Sequence, residues 1–325
     1  MKIQFERLDV PRSDTAWAQK FTTYWPKYRK WFLSQGVARR ETYLSGRRAI
    51  AIYMPELLPI YDDLCELAGG GDLASRFLSF YRPPPYMAGC SQAIWSDGVC
   101  RLVRNYDYDL NKIDATVVMS RWGGRNVLAM TDGLWGVVDG INDAGLAASL
   151  AFGGRKIVGK GFGIPIILRY VLQVCVSVRE AKAALEQVPC NMAYSVTVLD
   201  RMGDYVTAYL SPEEKPKFTR KNVVTNHQDT IAWAKHARIT ASPQRQRHLL
   251  NLLSNNNVGF DDFRSAFLQR PLFSTNYARG FGTIYTSVYV PEENRLELHW
   301  PEDLTWHHDF ESKSKSDQLV CYPSI

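Results

Sequence analysis

The sequence Gly89-Cys90-Ser91-Gln92 stands where the chain changes from a helical to a strand-like pattern, and Arg104-Asn105-Tyr106-Asp107 follows shortly after it. A cysteine attacks carbonyl carbons as a thiolate, so it needs a lowered pKa or an adjacent base. Hydrolysis of the Gly89–Cys90 bond would give Cys90 a free α-amine, whose unperturbed pKa of roughly 7.7–8.0 suits it to act as that base. A glycine before the cysteine tolerates strain and leaves its carbonyl open to the thiol. The pair predicts a nucleophile and a processing site in one peptide bond.

Two charged residues downstream supply partners for this nucleophile. Arg104 lies across a predicted hairpin turn at Ser96-Asp97-Gly98, so it is expected beside the thiol, where its charge favours the thiolate. Asp107 would orient the amine, as a triad carboxylate orients its base. A simpler interpretation stays open: a cysteine among apolar residues is usually a buried small hydrophobe, and an Arg-Asn-x-Asp segment can be a surface turn with a weak ion pair.

The composition is that of an ordinary globular protein. Of 325 residues, 46% are hydrophobic and 22% charged, and the net charge is +6, which allows one large domain or two smaller ones. The basic residues are scattered and are not interleaved with aromatic residues along a stripe, which argues against nucleic acid as a partner. Residues 1–14 lack the apolar core of a signal peptide and no apolar run approaches about 18 residues, so we expect a cytoplasmic protein with no membrane partner.

Cysteine and histidine spacing gives no sign of a metal centre. The six cysteines are dispersed without a CxxC pair, so most are expected to be free thiols in a reducing compartment. The histidines lack HExxH spacing. We therefore expect neither a metal nor another cofactor.

The first 90 or so residues have a helical pattern. Aromatic residues recur at helical spacing from Trp17 to Phe32, and further helical segments follow up to Tyr81. Three prolines, Pro83-Pro84-Pro85, then stop any helix and hold the approach to Cys90 extended.

After Cys90 the pattern is mostly that of strands and turns. Asn142-Asp143-Ala144-Gly145 is typical of a hairpin turn. Helices are predicted for Ile164 to Val174 and, after a capping box formed by Ser177 and Glu180, up to about Gln187. Because strands and helices do not alternate regularly, we predict antiparallel sheets with helices packed outside them.

Four segments together resemble a known family. Gly89-Cys90-Ser91 with residues 104–108, Asp139 to Leu146, Thr225-Asn226-His227 and Ser242-Pro243-Gln244-Arg245 occur in an order and spacing similar to those of the acyl-CoA:6-aminopenicillanate acyltransferase-like family. That family is grouped with the choloylglycine and penicillin V hydrolases, which are linear-amide C–N hydrolases of the N-terminal-nucleophile class. The resemblance covers most of residues 85–290.

The resemblance implies a fold and a division of the chain. The expected fold is α+β, a four-layer αββα sandwich of two antiparallel sheets. Residues 1–89 would be a helical pro-segment, or small chain, that stays packed on the body after cleavage. Residues 90–325 would be the catalytic chain, beginning at the nucleophile.

The resemblance also assigns roles to individual residues. Cys90 would be the nucleophile and its α-amine the base, with Arg104 and Asp107 flanking them. Asn226 would donate its side-chain amide to the oxyanion, where one well-placed donor is worth roughly 10²–10³ in rate. Arg245 would hold the charge network, with Arg247 as a competing assignment.

The second oxyanion donor departs from the family pattern. The related bile-salt hydrolases carry an asparagine on the strand after the Gly-Leu pair, whereas this chain has Leu150-Ala151-Phe152. A backbone N–H near Ala151 is the replacement that the sequence offers.

Three functions follow as hypotheses. The leading one is a self-processing amidohydrolase that cleaves a linear amide through a thioester. The second is an acyltransferase that moves an acyl group from acyl-CoA or an amide to an amine, and the third is a catalytically silent binding or scaffold protein on the same fold. The expected partner is a small acyl amide or acyl-CoA, and a homo-oligomer is left open. Five aromatic residues are candidates for lining an acyl pocket or for plain core: Trp95, Trp122, Trp135, Phe152 and Phe162.

Overall fold

A computed structural model describes residues 1–10, 15–87, 89–311 and 317–323. The strands are β1 (Lys2–Val10), β2 (Gly89–Trp95), β3 (Arg101–Tyr108), β4 (Thr116–Ser120), β5 (Val127–Asp132), β6 (Gly136–Asn142), β7 (Ala147–Phe152), β8 (Tyr194–Leu199), β9 (Tyr205–Leu210), β10 (Lys217–Thr219), β11 (Val223–Val224), β12 (Thr275–Asn276), β13 (Phe281–Val290), β14 (Arg295–His299), β15 (Thr305–His308) and β16 (Asp317–Cys321). The helices are α1 (Thr15–Phe32), α2 (Tyr43–Tyr53), α3 (Leu58–Leu67), α4 (Asp72–Leu78), α5 (Ile164–Val174), α6 (Val178–Gln187), α7 (Ala234–Ile239), α8 (Ser242–Leu253) and α9 (Phe260–Phe267).

Two sheets form the centre of the molecule. One has nine described strands in the order β10-β9-β8-β7-β6-β5-β4-β1-β16. The other has seven, in the order β11-β2-β3-β13-β14-β15, with β12 paired to β13. The described pairs are antiparallel except β1 with β4, which is parallel.

Helices cover both outer faces of this sheet pair. α5 and α6 pack on the nine-stranded sheet, while α8 and α9 pack on the seven-stranded sheet. The sheets meet where β2 faces β7 and β14 faces β6. Every strand from β4 to β8 is buried along its length, as expected for strands covered on both sides. The predicted four-layer αββα sandwich is confirmed.

Residues 1–89 are attached to the body both by packing and by a strand. Trp17 of α1 is buried and donates its indole N–H to the carbonyl of Leu134 at 3.1 Å. β1 lies between β4 and β16 in the nine-stranded sheet, which the helical prediction for this segment did not include. Only Phe5 and Val10 of β1 are buried, so the alternation of buried and exposed residues is weak. The partner strands of β1 lie more than a hundred residues away in the sequence. No local pattern could have indicated the strand.

The predicted helices around residue 175 are confirmed. α5 spans Ile164–Val174, with Pro165 in its first turn, where proline removes no helical hydrogen bond. At the start of α6 the Ser177 side chain accepts from the N–H of Glu180 at 3.3 Å. The Glu180 carboxylate accepts from the N–H of Val176, one residue before the expected capping position. Helix caps thus set the ends of this pair.

The predicted hairpin turn after β6 also fixes a helix to the sheet. Oδ1 of Asn142 accepts from the N–H groups of Ala144 and Leu146 at 3.1 and 3.0 Å, and Gly145 takes a positive φ of 78°. Nδ2 of Asn142 donates to the carbonyls of Leu172 and Cys175, which lie at the end of α5. One side chain closes the turn and docks the helix.

Candidate active site

Cys90 lies near the start of β2, between the two sheets and fully buried. Antiparallel pairing of β2 with β3 places Cys90 opposite Tyr106 and Gly89 opposite Asp107. Side chains of successive strand residues point to opposite faces, so Arg104 and Asp107 belong to different faces of the sheet. Arg104 shares the inter-sheet face with the thiol, and Asp107 faces the α8 layer.

Arg104 reaches the thiol directly. Its Nη2 lies 3.2 Å from Sγ of Cys90, and its Nε donates to the carbonyl of Leu150 on β7 at 3.1 Å. The guanidinium carbon lies 4.7 Å from the centre of the Tyr106 ring. Arg104 therefore connects the thiol of Cys90 on one sheet to the backbone of the other.

Asp139 is the counter-charge that sequence analysis missed. It lies on β6, is fully buried, and forms an ion pair with Arg104 Nη1. It also accepts from the hydroxyl of Tyr285 at 2.8 Å and from that of Tyr289. The sequence held one signal, since a charge inside the apolar strand Gly136–Asn142 requires a buried partner.

Asn226 and Arg245 hold the backbone of Cys90. Oδ1 of Asn226 accepts from the N–H of Cys90 at 3.0 Å. Arg245 donates from Nη1 to the carbonyl of Cys90 and from Nη2 to Oδ1 of Asn226, both at 2.6 Å. Arg245 projects from the first turn of α8, which begins at Ser242.

Asp107 lies against Gly89 instead of against the Cys90 amide. Its Oδ1 accepts from the hydroxyl of Thr283 at 2.7 Å, and its Oδ2 lies 3.8 Å from Nη1 of Arg245. A Cβ added at Gly89 would lie 2.9 Å from Cβ of Asp107, closer than real Cβ atoms approach. Position 89, directly before Cys90, thus has room for glycine alone unless Asp107 moves.

Burial and the neighbouring guanidinium groups shift the pKa of the Cys90 thiol in opposite directions. Burial is the largest influence and raises the pKa of Cys90, as does the charge of Asp107, whereas Arg104 and Arg245 lower it. The net result is a pKa of about 11. Burial also raises the pKa of Asp107, against the lowering effects of Arg245, the Thr283 hydrogen bond and Arg104. In the unbroken chain, desolvation outweighs the two guanidinium groups.

The backbone N–H and C=O groups near Ala151 point alternately toward β8 and away from it. Gly153 donates its N–H to the carbonyl of Ala193, next to β8, whereas the carbonyls of Leu150 and Phe152 accept from Arg104 and Asn226 on the other side. Because backbone groups alternate along a strand, the N–H of Ala151 points at its partner Ser195 on β8. The N–H of Phe152 points toward the site.

Two further residues from sequence analysis lie outside the contacts of Cys90. Arg247 is exposed on α8, so the structure brings Arg245 and not Arg247 to Cys90. His227 binds Oγ of Ser242 through Nδ1 at 2.7 Å and Oε1 of Gln246 through Nε2 at 3.2 Å. Both ring nitrogens of His227 join its strand end to α8, which is a structural role.

Neither a metal site nor a membrane-spanning helix is found in the part of the chain that the structure describes. Within residues 1–10, 15–87, 89–311 and 317–323, no three His, Cys, Asp or Glu side chains are grouped to hold a metal ion. Every helix within those residues is too short or too polar to cross a lipid bilayer.

Two cavities lie near the Gly89–Cys90 segment, one lined by Gly89 and the other by Tyr86, three residues before it. One, of about 360 Å³, touches Gly89, Asp107 and Arg245 and has a mixed polar lining. The other, of about 560 Å³, is largely apolar and ends at Tyr86 and Tyr194. The five aromatic residues offered by the sequence line neither cavity; they are Trp95, Trp122, Trp135, Phe152 and Phe162.

Comparisons with known proteins came from sequence and from structure. Residues 95–304 match the family described as "Acyl-coenzyme A:6-aminopenicillanic acid acyl-transferase", a segment that begins five residues after Cys90 and includes Arg104, Asn226 and Arg245. No curated protein matches the sequence significantly.

Solved structures similar to this chain have low sequence identity. Penicillin V acylase from Agrobacterium tumefaciens is 14% identical, with a TM-score of 0.49 over 68% of this chain and 86% of that one. A mutant of conjugated bile acid hydrolase from Clostridium perfringens is 16% identical, with a TM-score of 0.41 over 73% and 98% of the two chains. Another variant of that hydrolase is 15% identical, with a TM-score of 0.45 over 73% and 99%.

The family match spans more than half of the chain. It therefore shows that the chain belongs to the acyl-coenzyme A:6-aminopenicillanic acid acyl-transferase family and is an enzyme.

Proposed function

We propose that this protein is a self-processing cysteine amidohydrolase that cleaves linear amides. One observation carries the proposal: the thiol, amide nitrogen and carbonyl oxygen of Cys90 are held by three different side chains. These are Arg104 at Sγ, Asn226 at the N–H and Arg245 at the carbonyl. A cysteine that served only as core packing would not need these polar partners.

Processing begins with attack of Sγ of Cys90 on the carbonyl carbon of Gly89. The Gly89–Cys90 C–N bond breaks, a thioester forms, and the thiol proton ends on the released α-amine. Water then hydrolyses the thioester, which leaves a Gly89 carboxylate and a free Cys90 thiol. Arg104 favours the attacking thiolate, because its Nη2 already lies 3.2 Å from Sγ.

Turnover uses the same thiol on an external amide. The α-amine of Cys90 takes the thiol proton, Sγ attacks the substrate carbonyl, and the amine leaves with a proton as the thioester forms. Asn226 is close enough to hold the α-amine through Oδ1 and to present Nδ2 to the oxyanion. The second donor that we propose is the backbone N–H of Phe152, beside the expected Ala151, because it faces this side of β7.

Residues 1–89 would remain attached after cleavage as the small chain. β1 pairs with β4 through residues 6–10 and with β16 through residues 2–6, so its removal would open the nine-stranded sheet. The buried aromatic residues of α1 add packing against the body. Residues 90–325 would form the catalytic chain.

Acyl transfer to an amine is the second candidate. This reaction shares the thioester intermediate with hydrolysis and differs only in the molecule that accepts the acyl group. The cavity that touches Gly89, Asp107 and Arg245 has a lining of mixed polarity, in which an amine acceptor could bind in place of water. Product analysis with and without added amine separates the two functions.

Replacing the nucleophile should block both processing and turnover. Wild-type protein is expected to yield fragments of residues 1–89 and 90–325 by intact-mass spectrometry, while Cys90→Ala stays whole and inactive. Under native conditions the two wild-type fragments should elute together, because β1 stays in the sheet. Cys100→Ala, which changes a half-buried cysteine of the next strand connection, is the matched control and should process normally. Cleavage in Cys90→Ala would contradict the assignment.

Processing and turnover should have different pH profiles. Since the pKa of the Cys90 thiol is raised to about 11 in the unbroken chain, the thiolate fraction and the processing rate should rise about tenfold per pH unit from pH 7 to about pH 10. Turnover depends on the α-amine as base and should level off above roughly pH 8. Single-turnover processing and steady-state kcat/KM measure the two rates. A processing rate that levels off near pH 8 would overturn the first expectation.

Removing the charge of Asp139 should destabilise the site more than removing a surface charge. Asp139→Asn leaves Arg104 buried without its ion pair, which typically costs about 3–5 kcal/mol of unfolding free energy, and processing should slow.

Asp143→Asn is the matched control on the same hairpin. Asp143 is partly exposed and lies 3.8 Å from Arg125, so its loss should cost less than about 1 kcal/mol. Denaturant unfolding measures both variants. Equal stabilities for the two would show that the buried pair is not needed.

A further inference from the structure

Arg169 is a buried cation that has only neutral partners. It lies in the middle of α5, and its side chain is fully removed from solvent. Its Nε donates to the carbonyl of Trp135 at 2.9 Å, and its Nη1 donates to Oγ of Ser120 at 2.8 Å. Burial lowers the pKa of Arg169 to about 9, and no carboxylate among the described residues raises it again. The charge of Arg169 is therefore not balanced by the chain around it.

Two N–H donors lie close together here without an acceptor. Nη2 of Arg169 and Nε1 of Trp122 are both buried, and neither has a hydrogen-bond partner in the part of the chain that the structure describes. The guanidinium carbon of Arg169 lies 4.9 Å from the centre of the Trp122 ring, and this stacking offsets part of the cost of burial. An unmatched buried donor is costly, and an unmatched buried charge is far more costly. An anion from solution would supply both the acceptor and the counter-charge.

A cavity open to solvent lies against Trp122. It has a volume of about 790 Å³ and is also lined by Arg121, Asp63 and Glu66, all of which are exposed. Water and salt screen the charges of exposed side chains, so the two carboxylates do not keep a small anion out. The cavity gives such an anion a route from solvent to the indole of Trp122.

The loop that carries Trp122 joins three parts of the fold. Arg121 donates its N–H to the carbonyl of Val10, at the end of β1, at 3.0 Å. On α5, Nε2 of Gln173 donates to the carbonyl of Arg125 at 2.7 Å, and the N–H of Arg125 donates to the carbonyl of Gln173 at 3.0 Å. A group held between Arg169 and Trp122 would fasten this loop, and with it the end of β1, to the helix layer.

We infer that Arg169 and Trp122 bind a small monovalent anion of the size of chloride. The anion accepts from Nη2 of Arg169 and from Nε1 of Trp122, and its charge balances the guanidinium. Water bridging to Oε1 of Gln173, a buried acceptor that also has no partner among the described residues, would fill the hydrogen bonds but leave the charge unbalanced. Because α5 packs on the outer face of the nine-stranded sheet, the site is separate from Cys90 and goes beyond the proposed function.

Urea unfolding of the full Cys90→Ala chain, in which the thiol cannot cleave the backbone, tests the inference. Chloride replaces gluconate at constant ionic strength. Because one chloride binds the folded chain alone, the unfolding equilibrium constant should fall about tenfold for each tenfold rise in chloride above the dissociation constant. With Arg169→Gln added, the unfolding equilibrium constant should not depend on chloride. Arg125→Gln is the matched control, since Arg125 is an exposed arginine of the Trp122 loop, and it should leave the chloride dependence unchanged.

A second substitution keeps the test decisive if Arg169→Gln does not fold. Trp122→Phe keeps an aromatic ring and removes the Nε1–H donor, so the fall in the unfolding equilibrium constant should begin at about tenfold higher chloride. Equal chloride dependence in the parent, Arg169→Gln and Trp122→Phe proteins would overturn the inference. A parent protein whose stability does not change with chloride would also overturn it and would leave a bridging water as the partner of the two donors. Both results are independent of whether the enzyme cleaves amides.

Discussion

The buried ion pair between Arg104 and Asp139 is the interaction on which the site depends. It joins β3 of one sheet to β6 of the other, with both side chains fully removed from solvent. An isolated charge at such a depth would carry a desolvation cost of several kcal/mol, so neither residue is tolerable without the other. Once the pair is formed, the remaining donor of Arg104 lies 3.2 Å from the thiol of Cys90. The geometry around the Cys90 thiol therefore follows from the way the two sheets are held together.

Side chains alternate between the two faces of the sheet along β2 and β3, so the site is divided between those faces. Cys90 and Arg104 face the second sheet, while Asp107 faces α8 and meets Arg245. This division gives the thiol a cation and gives the backbone of Cys90 a separate clamp of Asn226 and Arg245. The chain around the Gly89–Cys90 bond also touches two unlike cavities, an apolar one at Tyr86 and one of mixed polarity at Gly89.

Local sequence patterns predicted many of the helices and turns. The features that were not predicted depend on residues far apart in the sequence. α5, the Ser177 cap and the Asn142 turn follow from residues within a few positions of one another. The convergence of Cys90, Arg104, Asn226 and Arg245 was expected from a family resemblance, and the structure brings these four together. The role of Asp139 and the insertion of β1 depend on partners in distant segments. Which backbone N–H near Ala151 faces Cys90 depends on strand pairing, which only the contact with β8 reveals.

The most direct test is peptide mapping of wild-type enzyme that has been quenched with acid during turnover of an N-acyl anilide. The account predicts one acyl group in thioester linkage on a peptide whose first residue is Cys90 with a free α-amine. That result would place the nucleophile, the base and the processing site in the same residue. An acyl group on any other residue, or a labelled peptide that still contains the Gly89–Cys90 bond, would contradict it.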